Sequence, residues 1–239
     1  MRNCAASVIT TVACSVILCL AAGPAIGSTR VAAQQLVAVV LTNHAVSAKP
    51  AGRPVALLNG RRPITGAPTV LPVLSRVLDR SGQFWLRVRL PGRVTGTPVP
   101  PATGWIRASG TKLETTPWHL VVDLATRQLI VEREAKVVRR FSAIVGKPST
   151  PTPPGQYFVE ESVTLSKGQP GGPFALATSD RSNVLHEFDG GPGQIAIHGL
   201  ANLGGQLGTA ESHGCVRLAN SAVTWLAARV GAGTPITII

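Results

Sequence analysis

The residues best suited to chemistry lie in two short strings, Ile195-Ala196-Ile197-His198-Gly199 and Ser212-His213-Gly214-Cys215-Val216-Arg217-Leu218. A thiol near two imidazoles is the pattern of nucleophilic catalysis. A free cysteine titrates at about 8.5, so only a few per cent is thiolate at neutral pH unless a base or cation helps. His213 stands two residues before Cys215, and in an extended chain such neighbours share a face. His198 ends an apolar run that would hold its ring rigidly if it paired beside the cysteine segment. Gly199 and Gly214 leave room for a backbone group to approach a substrate or an imidazole. Arg217 is placed to grip a carboxylate with its two-pronged guanidinium. A metal site built from His198, His213 and Cys215 is the competing reading. It would need a closely spaced ligand pair and an acidic catalytic group, and Glu187, Asp189 and Glu211 form no such motif, so neither metal nor organic cofactor is expected.

Together these strings resemble the signature of the L,D-transpeptidase catalytic domain (YkuD-type). Val122-Asp123-Leu124, Thr152-Pro153-Pro154-Gly155 and Gly233-Thr234-Pro235 also lie where that family has its motifs, so the resemblance spans about residues 118–239. It implies that Cys215 is the nucleophile and His198 the general base, with the Gly199 carbonyl orienting the ring. The N–H groups of Gly214 and Cys215, together with His213, would form the oxyanion hole. Ser212 would bond His213 or the substrate. The implied substrates are peptidoglycan stem peptides. Cys215 would attack the carbonyl of an L-centre, expel the D-residue and pass the acyl group to an amine, making a cross-link. With water as acceptor the same site is an L,D-carboxypeptidase, and a third reading is a wall-binding protein without activity. Residues 168–174 and the run to 189 fall where the family places a lid.

The elements needed to position these groups are mainly β. Runs at 119–124, 128–132, 137–145 and 156–163 alternate or cluster as strands do, and 235–239 supplies a last strand. Val223, Leu226, Ala227 and Val230 mark one C-terminal helix, with Asn220 or Ser221 to cap it and Gly231 to stop it. The Gly/Pro-rich stretch 167–173 is expected to be mobile. His44, His119 and His186 are expected on surfaces or in polar interiors, Trp118 and Trp225 in the core, and Arg139-Arg140 on a solvated edge.

Ahead of that domain the chain reads in three parts. Residues 1–27 carry Arg2, an apolar run and then small residues, the order of a secretory signal, with an uncleaved anchor as the alternative. Cys4, Cys14 and Cys19 lie within it, and cleavage before Ser28 would leave Cys215 as the sole thiol of an exported protein. Residues 28–68, dotted with proline, suggest a loosely packed lead-in, disordered in part. Residues 69–117 resemble a small SH3-like barrel with a linker. Its run Trp85-Leu86-Arg87-Val88-Arg89-Leu90 fits a half-buried strand with one basic face. Charge follows the same division. Residues 28–117 hold twelve Lys and Arg against two acids, whereas 118–239 hold ten against nine. The basic half would be drawn to anionic wall polymers or membrane lipids, and no aromatic-interleaved basic motif points to nucleic acid.

Overall fold

Short runs of Val, Ile, Leu and Thr recur along the chain and, in a computed structural model describing Met1 and residues 32–239, they form seventeen strands and one helix. The chain divides into Met1–Arg30 and Val31–Ile239, and every element named below belongs to the second unit. Apart from Met1, the segment 1–27 expected to be a secretory signal lies, with its three cysteines, outside the described residues. Among those described, no helix is long and apolar enough to cross a membrane.

The N-terminal module contains β1 (Gln35–Val40), β2 (His44–Ser47), β3 (Pro54–Leu58), β4 (Thr69–Leu78), β5 (Phe84–Arg89), β6 (Thr103–Arg107) and β7 (Thr111–Thr116). Their sheet order is β3-β2-β6-β5-β4-β1-β7. The loosely packed lead-in expected at 28–68 is therefore corrected. Three strands arise there, and β1 lies between β4 and β7 with Val37, Ala38 and Val40 buried. The prolines misled because they occupy permissive places. Pro54 opens an edge strand, where a missing N–H breaks no ladder, and Pro50, Pro63 and Pro68 stand outside the strands. The SH3-like expectation covers β4 to β6, only part of the sheet.

The second module adds β8 (Trp118–Asp123), β9 (Gln128–Arg133), β10 (Lys136–Ser142), β11 (Val145–Gly146), β12 (Gly155–Thr164), β13 (Phe174–Arg181), β14 (Gln194–His198), β15 (Ala210–Ser212), β16 (Val216–Arg217), α1 (Asn220–Ala227) and β17 (Pro235–Ile238). Eight of these form one sheet in the order β10-β9-β8-β17-β12-β13-β14-β16, and β11 pairs with β15 beside it. The helix buries Ala222, Val223 and Leu226 against this sheet, and Trp225 meets Trp118 edge-on at 6.0 Å. Its N-cap is Ala219, not Asn220 or Ser221, and no side chain caps it. Asn220 serves elsewhere, accepting the Leu200 N–H at 2.8 Å. His44 and His119 are both buried and bonded, His119 to Glu132 at 2.9 Å and to Thr237 at 2.8 Å.

The two modules share a buried junction. Phe158 of β12 packs into the N-terminal core, and a Cβ on Gly233 would lie 2.6 Å from Val70 Cγ1. Beside it Glu160, fully buried, pairs with Arg62 and lies 3.3 Å from Arg181 Nη2 through each carboxylate oxygen. Glu161 accepts the Thr65 N–H and hydroxyl at 3.0 and 2.8 Å. Removing one member would strand a buried charge, so this cluster locks the docking of one module on the other.

Candidate active site

The site follows from a two-strand register. β14 and β16 run parallel, with Ile197 opposite Val216 and His198 opposite Arg217. Side chains alternate between faces, so Ile197 and Val216 enter the core while His198, Arg217 and, two residues earlier, Cys215 emerge on the other side. There they line a cavity of about 420 Å³ with Gln194, Ile195 and His213.

The His198 ring is fixed by its own backbone. Nδ1 lies 2.8 Å from the Gly199 carbonyl, which can only accept, so Nδ1 carries the proton and Nε2 keeps its lone pair. Gly199 N–H donates to Gly171 O at 2.8 Å, and Gly171 N–H to Ala201 O at 2.8 Å. A Cβ on Gly199 would stand 2.0 Å from Gly172 O, and one on Gly171, whose φ is +84°, would stand 2.7 Å from His198 Nδ1. The stretch 167–173, expected to be mobile, is thus a strap seated on the imidazole. Its glycines permit contact, which composition alone read as looseness.

The thiol sits on a turn clamped from below. Ser212 is fully buried, its hydroxyl donating to Cys215 O at 2.6 Å and accepting the Gly214 N–H at 3.1 Å. Ser212 therefore does not bind substrate, contrary to expectation, because its hydroxyl is consumed inside the turn. The same bond occupies the Gly214 N–H expected in the oxyanion hole. Gly214 instead supplies a φ of +120°, and a Cβ there would meet Ile195 Cδ1 at 2.8 Å. Thr152, buried in the Thr-Pro-Pro-Gly loop, donates to Gly214 O at 2.7 Å and accepts the Gly146 N–H at 2.9 Å. A trans peptide points its C=O and N–H in opposite directions, so Thr152 also sets the direction of the Cys215 N–H. In the sequence, Thr152 is visible only as part of the Thr152-Pro153-Pro154-Gly155 string.

Electrostatics leave the pair neutral at rest. Burial pushes the Cys215 thiol above the usual thiol range, against the Ala196 N–H and the Arg217 charge, which favour thiolate. Burial and Arg217 pull His198 below its usual 6.5, with the Gly199 carbonyl opposing. Arg217 lines the cavity, bonds Gly204 O at 3.2 Å through Nη1, and its buried Nε finds no partner among the described residues. Behind the cavity Asp180 is 1% exposed with neither carboxylate oxygen hydrogen-bonded among those residues. Burial raises it from 3.8 to about 7, with the Arg181 and Arg93 charges partly offsetting.

His213 is exposed and stacks on Phe188, ring centroids 5.7 Å apart. Phe188, Leu185 and Asp189 belong to loop 182–193, which forms the outer wall of the cavity. The lid expected at 168–189 is accordingly split, because residues 174–181 are strand β13 inside the sheet. His186 is exposed on the same loop. Among the described residues no group of three or more His, Cys, Asp and Glu could hold a metal ion.

The L,D-transpeptidase catalytic domain family (YkuD) matches residues 117–238. The YkuD protein of Bacillus subtilis (strain 168), named for an L,D-transpeptidase, is 31% identical over 124 residues, 52% of this chain and 67% of its own. Its namesake in Bacillus licheniformis is 30% identical over 125 residues, with the same shares. Among solved structures, an L,D-transpeptidase from Mycobacterium smegmatis is similar at 21% identity and a TM-score of 0.40, over 66% of this chain and 90% of that one. The catalytic domain of the E. faecium L,D-transpeptidase is similar at 21% identity and a TM-score of 0.38, over 51% and 96%.

Proposed function

Since the chain belongs to the L,D-transpeptidase catalytic domain family through residues 117–238, we propose that it cross-links peptidoglycan stem peptides by way of a thioester on Cys215. The observation that carries this reading is the shared face of β14 and β16, where His198 and Cys215 open on one cavity with the His198 ring held by Gly199 O. A neutral thiol beside a neutral imidazole is competent when substrate arrives. His198 Nε2 takes the thiol proton as Sγ bonds to the carbonyl carbon of the L-centre. The tetrahedral oxyanion faces the Cys215 N–H, a donor of the kind worth roughly 3–4 kcal/mol. Collapse breaks the amide bond, and His198 returns its proton to the departing D-amino acid. The amine of a second stem then attacks the thioester, giving a new amide and restoring the thiol. Arg217 offers its guanidinium to a stem carboxylate.

The work belongs outside the cytoplasm, where stem peptides are displayed, with residues 1–27 as the export signal and the basic module drawn to anionic wall material. Incubating the protein with a tetrapeptide stem and a diamino-acid acceptor tests the reaction. Release of the terminal D-residue with a cross-linked product supports transpeptidation, and release with only a trimmed tripeptide makes the protein a carboxypeptidase. No release of the D-residue would overturn both.

A further inference from the structure

The N-terminal module reaches the cleft through the loop after β5. Gly92 N–H donates to Glu160 Oε1 at 2.9 Å, and a Cβ on Gly92 would lie 2.6 Å from Ser179 O and 2.8 Å from Arg181 Cζ. This backbone is seated directly on β13, and the next residue extends beyond it. Arg93 Nη2 donates to Ser182 O at 2.8 Å and to Leu185 O at 3.5 Å, while Arg93 O accepts from Arg181 Nε at 3.0 Å.

Those carbonyls belong to the neck of loop 182–193. Ser182 N–H donates to Gly193 O at 2.8 Å to close the neck, and Ser182 Oγ accepts the Leu185 N–H at 2.9 Å. Gly193 is so near the guanidinium that a Cβ there would lie 3.3 Å from Arg93 Nη2. Among the described residues, the other hydrogen bonds of 183–192 run within the loop itself. Among the described residues, Arg93 thus makes the loop's side-chain hydrogen bonds to the body, with the Phe188–His213 stack as a second contact, and the tethered loop brings Leu185, Phe188 and Asp189 to the cavity that holds Cys215.

Three of the junction arginines divide their work. Arg62 is paired across the junction with Glu160 and Glu161, which holds the modules together, and Arg181 is paired with Glu160 within the second module. The Arg93 side chain bonds only loop carbonyls. Water can replace it there, so its loss should free the loop without undocking the module.

We propose that Arg93 is a positioning residue for the transpeptidase reaction, and that through it the N-terminal module shapes the outer wall of the cleft, setting how tightly a donor stem is held and how well the thioester is shielded from water. This rests on the function proposed above. A wall that closes over an acyl-enzyme favours transfer over hydrolysis.

The test compares the full chain with its Arg93→Gln variant by hydrogen exchange and by kinetics with a tetrapeptide stem and an amine acceptor. Exchange in 182–193 should accelerate at least about ten-fold while β8 and β9 stay protected. KM for the stem should rise at least about five-fold with kcat changed less than about two-fold, and the hydrolysed share of product should increase. Gly92→Ala, which lifts the hook with Arg93 intact, should loosen the same loop, Arg93→Lys should restore part of the wild-type behaviour, and exposed Lys136→Gln, on the far edge of the second sheet, should change nothing. Unchanged exchange and KM in Arg93→Gln would overturn the proposal, as would loosening spread evenly over both modules. If Arg93→Gln does not fold, Arg93→Lys and Gly92→Ala are judged by the same criteria. A wild type that releases no D-residue would defeat the proposed function, while exchange would still decide whether Arg93 holds the loop.

Discussion

The two walls of the cleft are held in opposite ways. The inner wall, the turn from Ser212 to Cys215, is bound by buried groups of its own module: Thr152 on Gly214 O, Thr150 on Ser212 O at 3.3 Å, and the Ser212 hydroxyl across the turn. The outer wall, loop 182–193, is largely exposed, and its neck is gripped by an arginine from the other module. Buried bonds inside one module fix reacting atoms, whereas a solvated loop held from outside can yield when substrate enters. The chemistry should therefore belong to residues 118–239 and the access to the junction.

The comparison breaks first at the base. His198→Gln removes the proton acceptor of the proposed reaction and should lower kcat/KM by about 10³-fold, with the fold retained by circular dichroism. His213→Gln, at a stacked and exposed position, should cost far less. The reverse ranking would move the base to His213. In the wild type, activity should grow as pH rises through the His198 titration, whose midpoint lies below 6.5 because burial disfavours the imidazolium. Alkylation of Cys215 should have its midpoint above that of a free cysteine, since burial disfavours the thiolate.

Thr152→Val sharpens the contrast between the walls. It keeps the side-chain volume but leaves Gly214 O and the Gly146 N–H without their partner, so kcat should fall about ten- to hundred-fold with little change in KM. This is the opposite split from the one expected of Arg93→Gln. Equal KM and kcat effects in the two variants would show that the walls are not separable.

Asp180 stands between the walls, on the strand that carries the loop and with a charge that raises the Cys215 pKa. Its own pKa is raised in the folded state, so that state binds the proton more tightly than the unfolded chain, and stability should fall as pH climbs from 3.8 to about 7. The penalty is at most about 4 kcal/mol. Asp180→Asn should flatten that slope in urea unfolding and stabilise the protein above the window. Parallel curves for variant and wild type would reject the burial account.

The smallest effect concerns charge at long range. Arg62 and Arg93 are engaged at the junction, whereas Lys49, Arg53, Arg76, Arg80, Arg87 and Arg107 are exposed. Binding of the protein to purified wall sacculi should weaken as salt shortens the screening length from about 10 Å at 0.1 M to about 3 Å at 1 M. Salt-independent retention would remove the electrostatic role.

The inner wall was the more legible in sequence. Its groups are neighbours in the chain or share one register, and the alternation around Ile197 and Val216 shows which side chains emerge together. The burial of Ser212 was not legible, because a hydroxyl facing solvent and one closing a turn have the same sequence. Strands β1 to β3 were hidden by prolines that sit at a sheet edge and between strands. The junction was unreadable because Arg93 and Ser182, or Arg62 and Glu160, lie about ninety residues or more apart, and the single charge on each carries no address.

The most direct measurement is intact mass after incubation with a tetrapeptide stem, followed by peptide mapping. The account predicts a mass gain equal to the tripeptide acyl group, located on Cys215, absent in Cys215→Ala, and discharged on adding an amine acceptor. Turnover by Cys215→Ala, or an adduct on any other residue, would contradict it.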